Sequence, residues 1–424
     1  MKISVFGLGY IGLPTATMFA AHGADVLGVD VNEYAVSTIN QGKIHIVEPG
    51  LADLVKSVVA KGKLRASQTA EKADAFLVAV PTPFMDGHEA DLSYIRAAAT
   101  AFAPVLEKGN IIILESTSPV GATETMVDWL KNMRPDLVFA SEDTEDCDVY
   151  VAYCPERVLP GRVMHELIEN DRIIGGLNKK STEMAREVYR IFVKGELLVT
   201  NARTAEMSKL TENAFRDVNI AFANELSLIC DRLNINVWEL IKLANHHPRV
   251  NILQPGPGVG GHCIAVDPWF IVSKTPDLAR LVNTARLIND GKPGWVRAKV
   301  REAVLSLVKQ GRDAKEIRIA CLGLAFKPDI DDLRESPALH ITHDLAEEFP
   351  GQVVTVEPNI HELPGSLKGI VALVTLEEAL QADVVVQLVA HKEFRGAKPD
   401  PRSYTRVLVD TTGIWTHCDS SASL

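Results

Sequence analysis

Short apolar runs alternate with amphipathic stretches through the first half of the chain. Short apolar runs bounded by turn residues are typical of buried strands, and longer amphipathic stretches are typical of covering helices. The alternation therefore predicts a parallel sheet wrapped by helices. The predicted elements are strands Ile3–Phe6, Val26–Val29, Ala75–Val80, Ile111–Leu114 and Val149–Ala152, with helices Leu13–His22, Leu51–Lys61 and Thr123–Met133 among them.

The alternation stops at Arg203, where a long run of helix-forming residues begins. This run continues to about Leu233 and predicts a helix of unusual length. A second long helical region is predicted from Asp277 to about Gly311, with an interruption near Gly291–Gly294 because glycine and proline disfavour helix interiors. Helices of this length suit a bridge between domains or an interface between subunits.

A second α/β region begins at Ile317 and resembles the start of the chain. Ile319–Phe326 matches the pattern of Ile3–Tyr10, but Ala325 stands where the first region has Gly9. A similar fold that binds a nucleotide differently is therefore predicted. Its further strands are predicted at Val353–Glu357, Ile370–Val374, Val384–Leu388 and Val407–Val409, and the tail after Trp415 is expected to be disordered because it is small and polar.

These patterns predict an α/β protein with two Rossmann-like, doubly wound parallel-sheet domains joined by a central long-helix domain. A chain of 424 residues is too long for one hydrophobic core, which agrees with several domains. The predicted domains are 1–200, which binds a dinucleotide, 201–312, which holds the long helices, and 313–424, the second α/β domain.

Composition narrows the function classes. The formal net charge of -11 disfavours nucleic acid and anionic membranes as partners, so a polyanionic ligand needs a local basic pocket. The six cysteines form no CxxC pair and are expected to be reduced thiols of a cytoplasmic protein. Ile3–Gly12 is expected to be a first strand and its turn, not a secretory signal, and no apolar run is long enough to span a bilayer.

Gly7-Leu-Gly-Tyr-Ile-Gly12 follows a predicted strand and opens a predicted helix, as a dinucleotide-binding turn does. Gly7 permits the tight turn, Gly9 lets the backbone approach a pyrophosphate, and Gly12 allows close packing of helix on strand. Asp30 ends the second strand, where a carboxylate binds ribose hydroxyls and repels a 2′-phosphate. NAD is therefore favoured over NADP. The alternative is a glycine-rich turn without a cofactor.

Pro255-Gly-Pro-Gly-Val-Gly-Gly-His-Cys263 is the segment with the strongest catalytic signal. Its glycines remove side chains so that a ligand can approach the backbone. A single cysteine is more often a small buried hydrophobe, but this loop favours a nucleophile at Cys263, with Asp267 close behind it. A thiolate can add to an aldehyde, and the adduct can be oxidised to a thioester and hydrolysed to an acid. His262 is interpreted as a loop residue that orients its neighbours, not as a base.

Six motifs occur in the order of a known family. They are Gly7–Gly12, Val80–Pro83, Glu115–Gly121, Tyr153–Arg157, Gly260–Cys263, and Phe326–Pro328 with Leu333–Ser336. From Met1 to about Trp415 the chain resembles the UDP-glucose/GDP-mannose dehydrogenase family, whose members oxidise the C6 alcohol of a nucleotide sugar to a carboxylate with NAD. The resemblance implies that the C-terminal domain binds UDP and that the protein is a homodimer.

The resemblance also implies roles for individual residues. Cys263 is the implied nucleophile, Lys209 and Asn213 would stabilise the oxyanion from one helix face, and Glu156 and Asp267 would handle protons and activate water. The implied cofactor contacts are Gly9, Tyr10, Ile11, Asp30, Pro81, Thr82, Thr117 and Lys327. The implied substrate contacts are Glu156, Arg157, Lys209, Asn213, Arg249, Asn251, Gly260, Phe326, Lys327 and Arg334. The contact of Arg249 could cross a subunit interface.

Each role has a structural alternative. Lys209 and Asn213 could form an exposed polar helix face, Glu156 could cap a turn, and 331–335 could be a solvated loop of weak salt bridges. No metal is expected, since no third ligand accompanies His246-His247 or His340 and His343 at the spacing of a zinc site.

The substrate implied by the resemblance is UDP-N-acetyl-D-mannosamine. It rests on three segments, Lys209–Asn213, Asn251–Phe270 and Ile330–Pro337. UDP-N-acetylglucosamine, UDP-N-acetylgalactosamine and UDP-glucose are alternatives with the same chemistry. More distant alternatives are a two-electron hydroxyacid dehydrogenase, which has no use for the cysteine loop, and a non-catalytic nucleotide-sugar-binding protein, which could dispense with Cys263 or Lys209.

Overall fold

The computed structural model describes residues 1–85, 87–144, 146–159, 161–261, 263–397 and 407–415. The interpretations of His262 and of the tail after Trp415 fall outside these residues. The chain forms two compact units, Met1–Glu212 with Ser273–Pro276, and Asn213–Val272 with Asp277–Leu424. No helix in the described ranges is both long enough and apolar enough to cross a membrane.

The first unit is built on one sheet. Its strands are β1 (Lys2–Phe6), β2 (Asp25–Val29), β3 (Leu64–Ser67), β4 (Ala75–Val78), β5 (Ile111–Leu114), β6 (Tyr150–Tyr153), β7 (Arg172–Gly176) and β8 (Leu197–Asn201). The order across the sheet is β3-β2-β1-β4-β5-β6-β7-β8. Every neighbouring pair is parallel except β6 and β7. The first six strands thus have the order of a dinucleotide-binding fold.

Helices cover this sheet, and the central strands are buried between two apolar clusters. The helices are α1 (Gly12–Ala21), α2 (Glu33–Asn40), α3 (Leu51–Ala60), α4 (Ser93–Phe102), α5 (Ala122–Met133), α6 (Val163–Glu169) and α7 (Lys179–Tyr189). Two buried glutamates cap helices from a distance in sequence. Glu206 accepts hydrogen bonds from the backbone of Gly121 and Thr123 at the start of α5, and Glu48 does the same at the start of α6.

A long helix, α8 (Ala202–Leu233), leads from the first unit into the second, as the sequence predicts. The second unit has a five-stranded, all-parallel sheet ordered β11-β10-β9-β12-β13. Its strands are β9 (Ile319–Leu322), β10 (Val353–Val356), β11 (Ala372–Leu373), β12 (Val384–Gln387) and β13 (Val407–Asp410). The remaining helices are α9 (Val237–Ala244), α10 (Asp267–Lys274), α11 (Arg280–Lys309), α12 (Pro337–Glu348) and α13 (Leu376–Ala379).

The predicted interruption near Gly291–Gly294 is wrong, because α11 continues through Pro293. Proline and glycine inside a helix cost about 3 and about 1 kcal/mol. Asn289, Lys292 and Val296 are buried around this point, so packing of the helix outweighs the local penalty.

The two sheets share the local geometry that the sequence predicts. Gly323 follows β9 with a φ of 93°, as Gly7 follows β1 with a φ of 86°. At the end of β10 the carboxylate of Glu357 accepts hydrogen bonds from the backbone of Leu324 and Ala325 at 2.7 and 3.0 Å. Asp30 makes the matching contact at the end of β2.

Candidate active site

The turn after β1 requires glycine at two positions. A Cβ at Gly7 would lie 2.6 Å from the carbonyl oxygen of Ala79, and a Cβ at Gly12 would lie 1.8 Å from the carbonyl oxygen of Gly7. Gly9 is different, since nothing lies within 4 Å of a Cβ placed there. The space beside Gly9 and the N-terminus of α1, which has no side-chain cap, fit the pyrophosphate of a dinucleotide.

Asp30 is fixed beside this turn. Its Oδ2 accepts a hydrogen bond from Leu8 N at 2.7 Å, and its Oδ1 accepts one from Asn32 N at 2.8 Å. A carboxylate held at the end of β2 binds ribose hydroxyls and repels a 2′-phosphate. The residues present therefore fit NAD.

Replacing Asp30 with serine is expected to weaken NAD binding about tenfold and to narrow the preference for NAD over NADP, because the charge that repels the 2′-phosphate is lost. Calorimetric titration with both dinucleotides measures this. Asp53→Ser, on the exposed side of α3, is the control and should leave both affinities unchanged. An unaltered NAD/NADP ratio in Asp30→Ser would contradict the assignment.

The turns after β4 and β5 meet at the same edge of the sheet. The Thr82 hydroxyl donates a hydrogen bond to the carbonyl oxygen of Thr117, and the Ser116 hydroxyl donates one to that of Val80 at 2.7 Å. The structure thus brings together Pro81, Thr82 and Thr117, three of the predicted cofactor contacts.

Glu156 follows β6 and belongs to a buried ionic cluster. Its Oε2 lies 2.9 Å from Arg172 Nη2, and its Oε1 accepts a hydrogen bond from Arg157 N at 2.6 Å. Arg172 stacks over the ring of Tyr189 at 4.8 Å, and the Tyr189 hydroxyl donates to Glu115 at 2.5 Å. Arg172 was not identified from the sequence, because the pattern of β7 did not predict a strand and so gave no sign that its arginine is buried.

Burial raises the pKa of Glu115 to about 7, and the positive charge of Arg172 only partly opposes this. The folded state therefore retains a proton between about pH 4.5 and pH 7 that the unfolded chain releases. The contribution of Glu115 to the free energy of unfolding is fully present below pH 4.5 and is lost as the pH rises to about 7.

Glu115→Gln mimics the protonated acid. The free energy of unfolding of the variant, relative to that of the wild type, should therefore increase as the pH rises from about 4.5 to about 7. The gain is at most about 3 kcal/mol. Urea denaturation between pH 4.5 and 8 measures it, with the exposed Glu107→Gln as control. If the free energies of unfolding of Glu115→Gln and the wild type differ by the same amount at every pH, the raised pKa of Glu115 is contradicted.

The cysteine loop lies in the second unit. Cys263 is exposed, and its carbonyl oxygen accepts a hydrogen bond from Asp267 N at 2.8 Å where α10 begins. Asp267 is buried, and its Oδ2 accepts a hydrogen bond from Asn213 Nδ2 at 2.5 Å. A Cβ at Gly260 would lie 2.9 Å from the Cβ of Phe326. The structure therefore groups these five predicted site residues in one region.

The other predicted residues are placed as follows. Lys209 is half-buried on α8, one turn before Asn213. Arg157 forms an ion pair with Glu212 at 2.7 Å. Arg334 forms an ion pair with Asp332 at 2.6 Å, as the alternative for the loop 331–335 anticipates. Arg249, Asn251 and Lys327 are exposed.

Comparison with known families gives three consecutive matches. Residues 1–193 match the NAD binding domain of the UDP-glucose/GDP-mannose dehydrogenase family, 203–291 match its central domain and 320–417 match its UDP binding domain. The chain belongs to this family and is an NAD-dependent enzyme, which confirms the predicted resemblance and cofactor.

Individual relatives cover nearly the whole chain. The UDP-N-acetyl-D-mannosamine dehydrogenase of Yersinia pestis is 61% identical over 97% of this chain and 99% of its own. The NDP-N-acetyl-D-galactosaminuronic acid dehydrogenase of Ralstonia nicotianae is 60% identical over 98% of this chain and 96% of its own. The solved structure of UDP-D-ManNAc dehydrogenase from Pyrococcus horikoshii is 40% identical with a TM-score of 0.86, and the match covers 98% of this chain and 96% of that one.

Proposed function

We propose that this protein oxidises the C6 alcohol of UDP-N-acetyl-D-mannosamine to a carboxylate, giving UDP-N-acetyl-D-mannosaminuronate. The observation that carries the proposal is the exposed thiol of Cys263 at the end of a glycine loop, in a chain with NAD and UDP binding domains. Relatives at about 60% identity carry the name of this activity.

The backbone at Gly9, Tyr10 and Ile11 and the carboxylate of Asp30 would hold NAD in the first unit. Lys327 is a further proposed cofactor contact. When bound, NAD would supply the hydride acceptor for both oxidations, and the overall balance is one alcohol, two NAD⁺ and one water to one carboxylate, two NADH and three protons. Pro81, Thr82 and Thr117 shape the nicotinamide end of the site.

Cys263 divides the oxidation into two stages. After the first oxidation its thiolate adds to the aldehyde carbon, forming a C–S bond, and the aldehyde oxygen takes a proton. Loss of a second hydride and that proton leaves a thioester, and water releases the acid and the free thiol. Lys209 favours the thiolate through its charge.

Asn213 is suited to stabilise the oxyanion. Its Nδ2 donates one hydrogen to Asp267, which fixes the amide, and a second hydrogen on the same nitrogen remains for a substrate oxygen. Lys209, one turn earlier on the helix, supplies a positive charge for the same purpose.

Glu156 and Asp267 handle protons in the proposed mechanism. Arg172 fixes the carboxylate of Glu156, and the contact with Asn213 fixes that of Asp267. The proposed contacts to the nucleotide and sugar are Arg157, Arg249, Asn251, Gly260, Phe326, Lys327 and Arg334.

The substrate is tested by initial rates with UDP-N-acetylmannosamine, UDP-N-acetylgalactosamine, UDP-N-acetylglucosamine and UDP-glucose. We expect kcat/KM for the first to exceed the others by about a hundredfold. A site that hydrogen-bonds the acetamido group in one configuration leaves its polar groups unpaired with the two N-acetyl sugars of different configuration and with UDP-glucose, which lacks that group. UDP-N-acetylgalactosamine is the second candidate, because the 60% identical relative from Ralstonia nicotianae is named an NDP-N-acetyl-D-galactosaminuronic acid dehydrogenase. A higher kcat/KM for it would replace the proposed substrate.

A homodimer is part of the proposal. Phe215, Phe222 and Ile229 recur every seven residues along α8, and 68%, 51% and 47% of their surfaces are exposed. Seven-residue spacing places them on one face, which suits the same helix of a second copy.

Phe222→Glu is expected to convert the dimer to a monomer, because a carboxylate would be buried without a partner in the interface. Light scattering coupled to gel filtration measures the mass. Tyr94→Glu changes an exposed aromatic residue of the first unit and should leave the dimer intact. An unchanged dimer in Phe222→Glu would contradict this role for α8.

A further inference from the structure

Buried polar side chains face each other between α8 and α11. Three hydrogen-bonded pairs link the helices, and they define what we call the polar seam: Asp217 with Arg286, Asn224 with Asn289, and Ser227 with Lys292. Each of the six residues is at most 7% exposed. Two helices usually meet through apolar residues, so six buried polar ones need a reason.

Stability alone is not that reason. Asp217 Oδ1 accepts hydrogen bonds from Arg286 Nη1 at 2.6 Å and from Asn289 Nδ2 at 2.8 Å, and Asn224 Nδ2 donates to Asn289 Oδ1 at 2.8 Å. Burying an ion pair costs as much in desolvation as the attraction returns, and apolar replacements are often as stable. What such a network provides is fixed orientation of its members.

Two members of the polar seam also hold the cysteine loop. Asn224 Oδ1 accepts a hydrogen bond from Gly256 N at 2.9 Å, at the first glycine of the loop. Arg286 Nη1 donates to the carbonyl oxygen of Ile264 at 3.4 Å, directly after Cys263. The glycines have no side chains with which to hold the loop, so its position depends on contacts made to its backbone.

We propose that the polar seam is a positioning device that fixes the cysteine loop at both ends and so sets the place of the Cys263 sulfur. Asn224 and Arg286 are positioning residues that touch the loop backbone, and Asp217 and Asn289 orient them. The inference rests on the proposed role of Cys263 as nucleophile. Its consequence is specific: a displaced thiol captures the aldehyde slowly, while the first oxidation does not need the thiol.

The test compares Asn224→Ala with Asn236→Ala. Asn236 caps α9 in the same unit by accepting hydrogen bonds from Trp238 N and Glu239 N, so its loss affects folding without a direct contact to the loop. In Asn224→Ala we expect kcat for acid to fall about tenfold or more with little change in KM, since misplacement of a reacting group lowers the rate of the chemical step. Free aldehyde, trapped with hydroxylamine, should rise.

The thiol itself should remain chemically competent. Alkylation of Cys263 by iodoacetamide in Asn224→Ala should stay within about threefold of the wild-type rate, because a small reagent needs only an exposed thiol and not a sulfur placed against the substrate. Asn236→Ala should show neither the fall in kcat nor the aldehyde. Unchanged kcat in a folded Asn224→Ala, or an equal loss in Asn236→Ala, would overturn the proposal.

Hydrogen exchange of the wild-type protein tests the same idea without a variant. The Gly256 amide is expected to be protected by about a hundredfold or more, as a bond into a buried network should be, and exchange at the rate of an open loop would overturn the proposal. The proposed function is tested separately. If Cys263→Ser still forms acid, Cys263 is not the nucleophile, whatever the result for Asn224→Ala.

Discussion

Replacing Cys263 with serine is expected to lower the rate of acid formation about a thousandfold or more. Serine places a hydroxyl at the same position, but a hydroxyl is far less ionised than a thiol near neutral pH and is a weaker nucleophile toward an aldehyde. An ester would also be a poorer intermediate for hydrolysis than a thioester. Acid formation is measured by mass spectrometry of the nucleotide sugar.

NAD binding should be unchanged in Cys263→Ser, because Cys263 is not among the proposed cofactor contacts and the substitution removes little volume. Cys147→Ser is the matched control, since burial raises the pKa of that thiol and no role is assigned to it. Acid formation at the wild-type rate in Cys263→Ser would rule out the covalent mechanism.

Replacing Gly12 with alanine is expected to weaken NAD binding about a hundredfold. The new Cβ would lie 1.8 Å from the carbonyl oxygen of Gly7, so the turn must open and its backbone donors move. Calorimetric titration measures the affinity, and thermal unfolding should show a lowered Tm as well.

Gly9→Ala separates the two effects. Nothing lies within 4 Å of its Cβ, so the Tm should stay near that of the wild type while the methyl group hinders the pyrophosphate. Gly291→Ala, on α11 with equally open surroundings, should leave NAD binding unchanged and should raise the Tm slightly, because alanine favours a helix interior more than glycine does. Unweakened NAD binding in Gly12→Ala would contradict the assignment of this turn.

The sequence predicts well the features that depend on neighbouring residues. β1, β2, β4, β5 and β6 are confirmed because each is a short apolar run bounded by turn residues. The turn at Gly7 with Asp30 is confirmed for the same reason. The predicted domain boundaries and the catalytic roles stay predictions.

Strands β3 and β7 were missed because they lack a plain apolar pattern, and β8 was missed although it begins with the apolar run Leu197–Val199. β7 begins with Arg172 and ends with Gly175 and Gly176, residues that normally weaken a strand. The arginine is needed for the ionic cluster, and a Cβ at Gly175 would lie 2.2 Å from the carbonyl oxygen of Asn201. Both reasons come from residues distant in the chain, so a local pattern does not contain them.

In the candidate site too, residues within a motif could be predicted from the sequence, whereas contacts between distant residues could not. Cys263, Asp267 and Asn213 were identified from the loop and the family motifs, but the hydrogen bond between Asn213 and Asp267 was not. The polar seam was missed because each of its residues alone is typical of an exposed helix face. Only the pairing of α8 with α11 shows that they are buried.

The central claim is that one enzyme carries an alcohol through two oxidations. The most direct test is to count NADH formed per UDP-N-acetylmannosamine consumed, with the acid measured in the same sample. Two NADH and one acid per sugar are expected from the covalent mechanism at Cys263. One NADH per sugar, with an aldehyde as the product, would contradict it.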